Sequence, residues 1–208
     1  MSEKKDIILD VAENLFAKHG FEGTTTRAIS DQAEVNIAML SYYFGSKEKL
    51  LEAVMDRHAH KAYEWVEEIH KEEPDPLRRL KKWNSAYVEF AFANPRPVII
   101  AHRERSLIND RPHIMDNVEE ASNRMKGYFT ETIETGKNQG LFRDIDIELT
   151  LHTFLQAVET LITNHQWVKK TMTIDGDSSS ENDKVYPEEF VGRVKDYLES
   201  LIDEFVCK

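Results

Sequence analysis

Between Val35 and Leu50 the chain reads VNIAMLSYYFGSKEKL, and these side chains suit binding better than reaction chemistry. Leu40 and Phe44 lie four apart and face a core together with Val35. Ile37, Ala38, Ser41 and one tyrosine are left on the opposite side. A bare Ile-Ala face beside an exposed tyrosine is a liability in water, but it suits thymine methyls and phosphates in a DNA groove. Reactive residue types do not assemble elsewhere. His58 and His60 are two apart, so they face different sides of a helix, and no HExxH pair exists. Cys207 has no companion cysteine. The segment from Asp175 to Asp183 superficially resembles a calcium loop, but it lacks glycine at the sixth place and glutamate at the twelfth, so it reads as a linker. There is no glycine-rich phosphate loop. No catalytic residue, metal site or cofactor is expected.

The elements that must carry this stretch are helical. Ile7, Ile8, Val11, Ala12, Leu15 and Phe16 recur at three and four and form one stripe, ended by Gly20 as a left-handed cap. Thr25 caps a second helix that runs to about Ala33. Glu34 and Val35 turn the chain, Asn36 caps a short third helix, and Gly45 ends it. Ser46 caps a fourth that runs to about His70. EEPDP at 72–76 breaks the chain, and helices follow from Pro76 to Asn94, from Pro95, and from Asp110 to Gly140. A strong stripe lies within 147–169, and a last helix starts at Pro187. Residues 171–186, TMTIDGDSSSENDKVY, have no periodicity and read as a mobile loop. Strand alternation and internal repeats are absent. The fold class is all-α, with roughly nine helices.

Composition narrows the function. The net charge of −11 over 208 residues argues against a non-specific nucleic-acid coat, which needs a broad basic surface. Residues 1–50 hold six Lys/Arg against eight Asp/Glu, net −2, and the remainder 21 against 30, net −9, so the acid lies mostly outside the N-terminal quarter. No window approaches ~18 uncharged apolar residues, and the N-terminus does not read as a signal peptide. With a single cysteine, a cytoplasmic protein is expected.

Helices two and three with their tight turn form a helix-turn-helix, whose second helix enters a major groove about 12 Å wide. Residues 21–51, FEGTTTRAISDQAEVNIAMLSYYFGSKEKLL, resemble the DNA-binding domain of the TetR family of bacterial transcriptional regulators. That family's pattern is Thr-Thr-x-Arg-x-Ile-Ala, Ala-Gly-Val-Ser, Leu-Tyr-Tyr-His-Phe, then Ser-Lys-Glu-x-Leu, matched here without a gap. Three departures from it matter. Glu34 replaces the turn glycine, so the turn must be one that a non-glycine residue adopts, and it adds charge near DNA. Ser41 replaces the first tyrosine, and Tyr43 the histidine. The resemblance implies that Thr26 and Arg27 grip phosphate. It implies that Ile37, Ala38, Met39 and Ser41 face base edges, that Tyr42 packs on sugar or a thymine methyl, and that Tyr43 and Lys47 meet phosphate. The competing readings place Tyr42 or Tyr43 in the core, Met39 as a partly buried packer and Lys47 as an ordinary surface lysine.

The resemblance also divides the chain into a helix-turn-helix domain at 1–50 and a larger helical bundle at 51–208 for ligand binding and dimerisation. It implies a sequence-specific regulator, a repressor released by a small-molecule effector, acting as a homodimer on near-palindromic operator DNA. Trp83, Tyr87, Phe90, His102, Met125, Phe129 and Phe154 are the candidates for an effector pocket, with plain core packing as the alternative for each. Leu151, Phe154, Val158, Leu161, Ile162, Tyr197, Leu201 and Phe205 are expected between the dimerisation helices and their supports. The rival functional reading is a helical interaction protein whose helix-turn-helix segment no longer binds DNA.

Overall fold

The computed structural model describes residues 3–110, 116–172, 174 and 186–208. The expected helix restart at Asp110-Arg111-Pro112 and most of the expected loop at 171–186 lie outside the described residues. Among those described, ten α-helices form and no strand does. They are α1 (Glu3–Gly23), α2 (Thr26–Gln32), α3 (Ile37–Phe44), α4 (Lys47–Glu72), α5 (Pro76–Ala93), α6 (Pro95–Asp110), α7 (Asp116–Asn138), α8 (Ile147–Thr163), α9 (His165–Thr171) and α10 (Glu188–Leu201). A π-turn, Ile202–Val206, follows. The stripe read as one helix over 147–169 is two. Asn164 leaves helical geometry at φ −109°, ψ 28°, and its side-chain amide bonds back to the Thr160 carbonyl, which ends α8.

Packing divides the chain into two units, Met1–Lys61 with Arg96–Ala121, and Ala62–Pro95 with Ser122–Lys208. The first unit therefore extends beyond residue 50 and takes in most of α6. Its core joins Ile8, Ala12 and Phe16 of α1 to Ile29 of α2, Leu40 and Phe44 of α3, and Leu50, Leu51 and Val54 of α4. Gly20 breaks α1 near its end at φ +73°, the left-handed region that glycine tolerates, and returns Phe21 to the core.

In the second unit, Val66, Leu80, Trp83, Phe129, Ile133 and Phe142 pack with Ile202 and Val206 of the π-turn. Phe142 was not anticipated as core, because no periodic stripe contains it. It lies across Gly136 of α7 so closely that a Cβ there would fall 2.1 Å from its ring. The chain around Phe142 is held by the C-terminus through Arg143 N–H to the Val206 carbonyl at 2.8 Å and Lys208 N–H to the Leu141 carbonyl at 3.0 Å. Val158 and Ile162 are completely buried within the single chain, whereas Leu149, Tyr197 and Phe205 are exposed.

Candidate functional site

The helix-turn-helix is built from local capping. Thr25 Oγ1 accepts from the Ala28 N–H at 3.1 Å, and Asn36 Oδ1 from the Met39 N–H at 2.7 Å. Each side chain satisfies one of the backbone donors that a helix start leaves open. Between them the Val35 N–H reaches the Ser30 carbonyl at 3.0 Å. The turn does not spare its non-glycine residue as expected: Glu34 takes φ 54°, in the left-handed region. Its Cβ then crowds the backbone, at a cost of about 1–2 kcal/mol for an L-residue. Glu34→Gly is expected to raise stability by about 1 kcal/mol and, by removing an acid, to tighten DNA binding. Urea melts and DNA titrations check both. A destabilised variant would show that the Glu34 side chain supplies more than it costs.

On α3, Leu40 is 1% exposed and Phe44 is buried, while Ile37 is 47% and Tyr42 84% exposed. Ala38 and Ser41 are exposed too. Met39 is half-buried, as is Tyr43, which packs on the core beside Phe44 with ring centroids 6.3 Å apart. Thr26 is half-buried at the first position of α2, and Arg27 is exposed with only a loose 4.0 Å approach to Asp31. The outward face is thus Ile37, Ala38, Ser41 and Tyr42, with Arg27 on the neighbouring helix.

Lys47 is also engaged within its own unit. Instead of presenting an uncommitted ammonium for phosphate, its Nζ donates to the Phe21 carbonyl at 2.9 Å and the Thr24 carbonyl at 3.0 Å. It also sits 4.1 Å from the centroid of the Phe21 ring. The Gly20 break leaves these carbonyls at the α1–α2 corner, and Lys47 closes that corner. Lys47→Ala is expected to lower stability by about 1–2 kcal/mol and to weaken DNA binding without changing its salt dependence. A lost phosphate contact would instead reduce the salt slope by about 1.

Two further anchors on this corner have no signal in the sequence. Glu104 Oε1 of α6 accepts from the Phe21 N–H at 2.8 Å, 83 residues away, and Arg103 Nη1 donates to the Ala17 carbonyl at 2.8 Å. Nearby, α1 is bound to α4 by charge. Glu13 Oε2 lies 2.7 Å from His58 Nε2 and 2.5 Å from Arg57 Nη2, and Arg57 Nη1 meets Asp10 at 2.6 Å. Burial pushes the Glu13 carboxyl upward, but hydrogen bonds and charge from His58 and Arg57 outweigh it and hold the group below the ordinary glutamate value.

The second unit holds a cavity of about 70 Å³, several times the ~10–15 Å³ that one water needs. Trp83 and Tyr87 of α5, Met125 and Phe129 of α7, and Phe154 of α8 line it, together with Trp65 of α4. These are five of the seven candidates from sequence. Phe90 and His102 are not on the cavity wall. Phe90 packs its ring against Trp65 at 6.4 Å. His102 is exposed on α6, which Pro95 starts and which carries residues from Arg96 onward into the first unit. Burial, with help from Asp203, pushes the Cys207 thiol pKa up, away from the reactive thiolate form. Among the described residues no cluster of His, Cys, Asp and Glu has the makings of a metal site.

The family described as "Bacterial regulatory proteins, tetR family" matches residues 8–54, the span of α1–α3 and the start of α4. The chain is 32% identical over 152 residues to the HTH-type transcriptional repressor NicS of Pseudomonas putida, covering 73% of this chain and 70% of that protein. The chain belongs to the TetR family. Among its other relatives is the HTH-type transcriptional repressor KstR2 of Mycolicibacterium smegmatis, 26% identical over 169 residues, covering 81% of this chain and 80% of that one. The ketosteroid transcriptional regulator KstR2 of Mycobacterium tuberculosis shares the fold, with a TM-score of 0.77 at 19% identity over 100% of this chain and 97% of that chain.

This TetR-family chain is a helix-turn-helix DNA-binding transcriptional repressor, of a family whose members bind operator DNA and form dimers. Its relatives are regulators of transcription, and none of its described helices is long and apolar enough to cross a membrane.

Proposed function

We propose that this repressor binds a near-palindromic operator as a homodimer, in the cytoplasm and without a catalytic step, and is released by a small molecule held in the second unit's cavity. The observation that carries the DNA reading is the divided α3: Leu40 and Phe44 are buried, while Ile37 and Tyr42 are exposed on a helix only eight residues long. A two-turn helix so firmly seated presents its outer face without rearrangement. Ile37, Ala38, Ser41 and Tyr42 would read base edges and sugar, with Met39 at the margin. Thr26, Arg27 and Tyr43 would position the unit on phosphate.

Exposed Leu149 on α8, Tyr197 on α10 and Phe205 just after it supply the apolar surface for a two-fold contact. Such a dimer sets two recognition helices about 34–36 Å apart or somewhat more. Release by an effector requires a coupling of about 1–3 kcal/mol between the two sites. The cavity, apolar with a few polar groups, has the composition of such a site.

The test is an anisotropy titration against the DNA flanking the protein's own gene, at two salt concentrations. Two chains per near-palindromic site, with affinity falling as salt rises, is the expected result. A folded dimer that binds none of this DNA at low salt would overturn the proposal.

A further inference from the structure

The cavity's chemistry goes beyond the existence of an effector to its class, and it rests on reading that cavity as the effector site. We infer that it selects a compact, uncharged, mainly apolar molecule of no more than one ring that carries a carbonyl or similar acceptor oxygen. Three features lead there. The walls, among the described residues, carry no charged side chain at all. A carboxylate or ammonium entering them would give up its water with no counter-charge in return. The rings of Trp65, Trp83, Tyr87, Phe129 and Phe154 offer flat aromatic surface instead.

The second feature is size. A cavity of about 70 Å³ is smaller than the ~150 Å³ that admits benzene in an apolar core, so it favours a compact guest, and its walls must yield somewhat even to a single ring.

The third feature is the balance of hydrogen-bonding groups. The polar side chains on the walls have already committed donors to backbone carbonyls. Asn84 donates to Lys195 at 3.3 Å, Thr150 to Asp146 at 2.7 Å, and the Tyr87 hydroxyl to Leu155 at 3.5 Å. The indole N–H groups of Trp65 and Trp83 are buried and have no acceptor among the described residues. What these two buried indoles lack is an acceptor, and a guest oxygen supplies it at whichever of them it reaches.

Calorimetry and ligand-observed NMR on the full chain test the inference with four probes of one shape. They are acetophenone, its hydrocarbon counterpart isopropylbenzene, the anion benzoate and the cation phenyltrimethylammonium. Acetophenone is expected to bind about 10-fold or more tightly than either ion, and several-fold more tightly than isopropylbenzene. Trp65→Phe and Trp83→Phe keep an aromatic wall and remove one donor each. At least one of them is expected to erase the ketone's advantage, read as the ratio of acetophenone to isopropylbenzene affinity in the same variant, with thermal melts showing that both variants fold. The inference is overturned if an ion matches the ketone, if the advantage survives both substitutions, or if acetophenone does not bind within its solubility. A cation that binds best would point to an aromatic cage for quaternary ammonium instead. Repeating the titration on the DNA complex separates the two claims: ketone binding that leaves DNA affinity unchanged would sink the effector role and leave the cavity's selectivity standing.

Discussion

Replacing Glu13 with alanine is expected to remove about 3–5 kcal/mol of stability, the range for breaking one side of a buried ion pair. Glu13 is only 7% exposed, and a single carboxylate oxygen serves both Arg57 and His58 on α4. Without it the His58 ring keeps its buried position but loses its acidic partner, and one arm of the Arg57 guanidinium does the same. Asp10 retains the other arm, but from a largely exposed position where an ion pair contributes little. Glu13→Gln keeps an acceptor and loses the charge, so its loss should be smaller, about 1–2 kcal/mol. Urea unfolding of the three proteins measures this. A loss below 1 kcal/mol for the alanine variant would mean that α1 and α4 are joined by their apolar core alone.

The same carboxylate gives the fold a pH dependence of known sign. Its folded-state pKa lies below the ordinary glutamate value, because His58 and Arg57 overcome the upward push of burial. The unfolded chain therefore takes up a proton on Glu13 at a higher pH than the folded chain does. The stabilisation is fully present above the ordinary glutamate pKa of about 4.3 and is lost as pH falls through the depressed value. In Glu13→Gln this part of the acid-side decline should be absent.

The helical framework was legible because its signals are local. Thr25, Asn36 and Gly45 punctuate the helix-turn-helix within a few residues of the bonds they make, and the spacing of Leu40 and Phe44 assigns the buried face of α3 without reference to any other element. The α8 stripe concealed its own break, since an apolar period carries across Asn164 even where the backbone does not. Residue type also identified five cavity residues, because a helical bundle places its largest aromatic groups inside. It could not show which of them meet at a common space, and it missed Trp65 on a helix assigned chiefly by its start.

What remained hidden depends on partners distant in sequence. Glu104 and Arg103 look like ordinary charges in AHRER, and only the fold brings them to the α1–α2 corner. Lys47 illustrates the reverse: a basic residue at the right motif position reads as a phosphate contact, yet the Gly20 break puts two backbone carbonyls within its reach. Glu34 differs again. Its type argued for an unstrained turn, but the short connection demands a left-handed residue there whatever its side chain.

Replacing Tyr42 with alanine is expected to weaken operator binding about 10- to 100-fold while leaving the melting temperature and the dimer unchanged. At 84% exposure its ring has little of the core to lose, and a surface truncation of this kind usually stays within about 0.5 kcal/mol of wild-type stability. The ring leans edge-on against Tyr43, with centroids 5.5 Å apart, and Tyr43 is itself seated on the core. Tyr42 is therefore presented outward at a set angle, which reduces the ordering cost when DNA arrives. A well-packed contact to sugar or base is worth about 1–3 kcal/mol, which corresponds to the affinity loss expected. Tyr42→Phe divides that loss: retention of most affinity assigns it to the ring, and a fall close to that of alanine assigns it to the hydroxyl. The salt slope distinguishes the contact further, since loss of a base or sugar contact leaves it unchanged. A Tyr42→Ala protein that melts several degrees lower, or binds operator as well as the parent does, would remove Tyr42 from the reading face of α3.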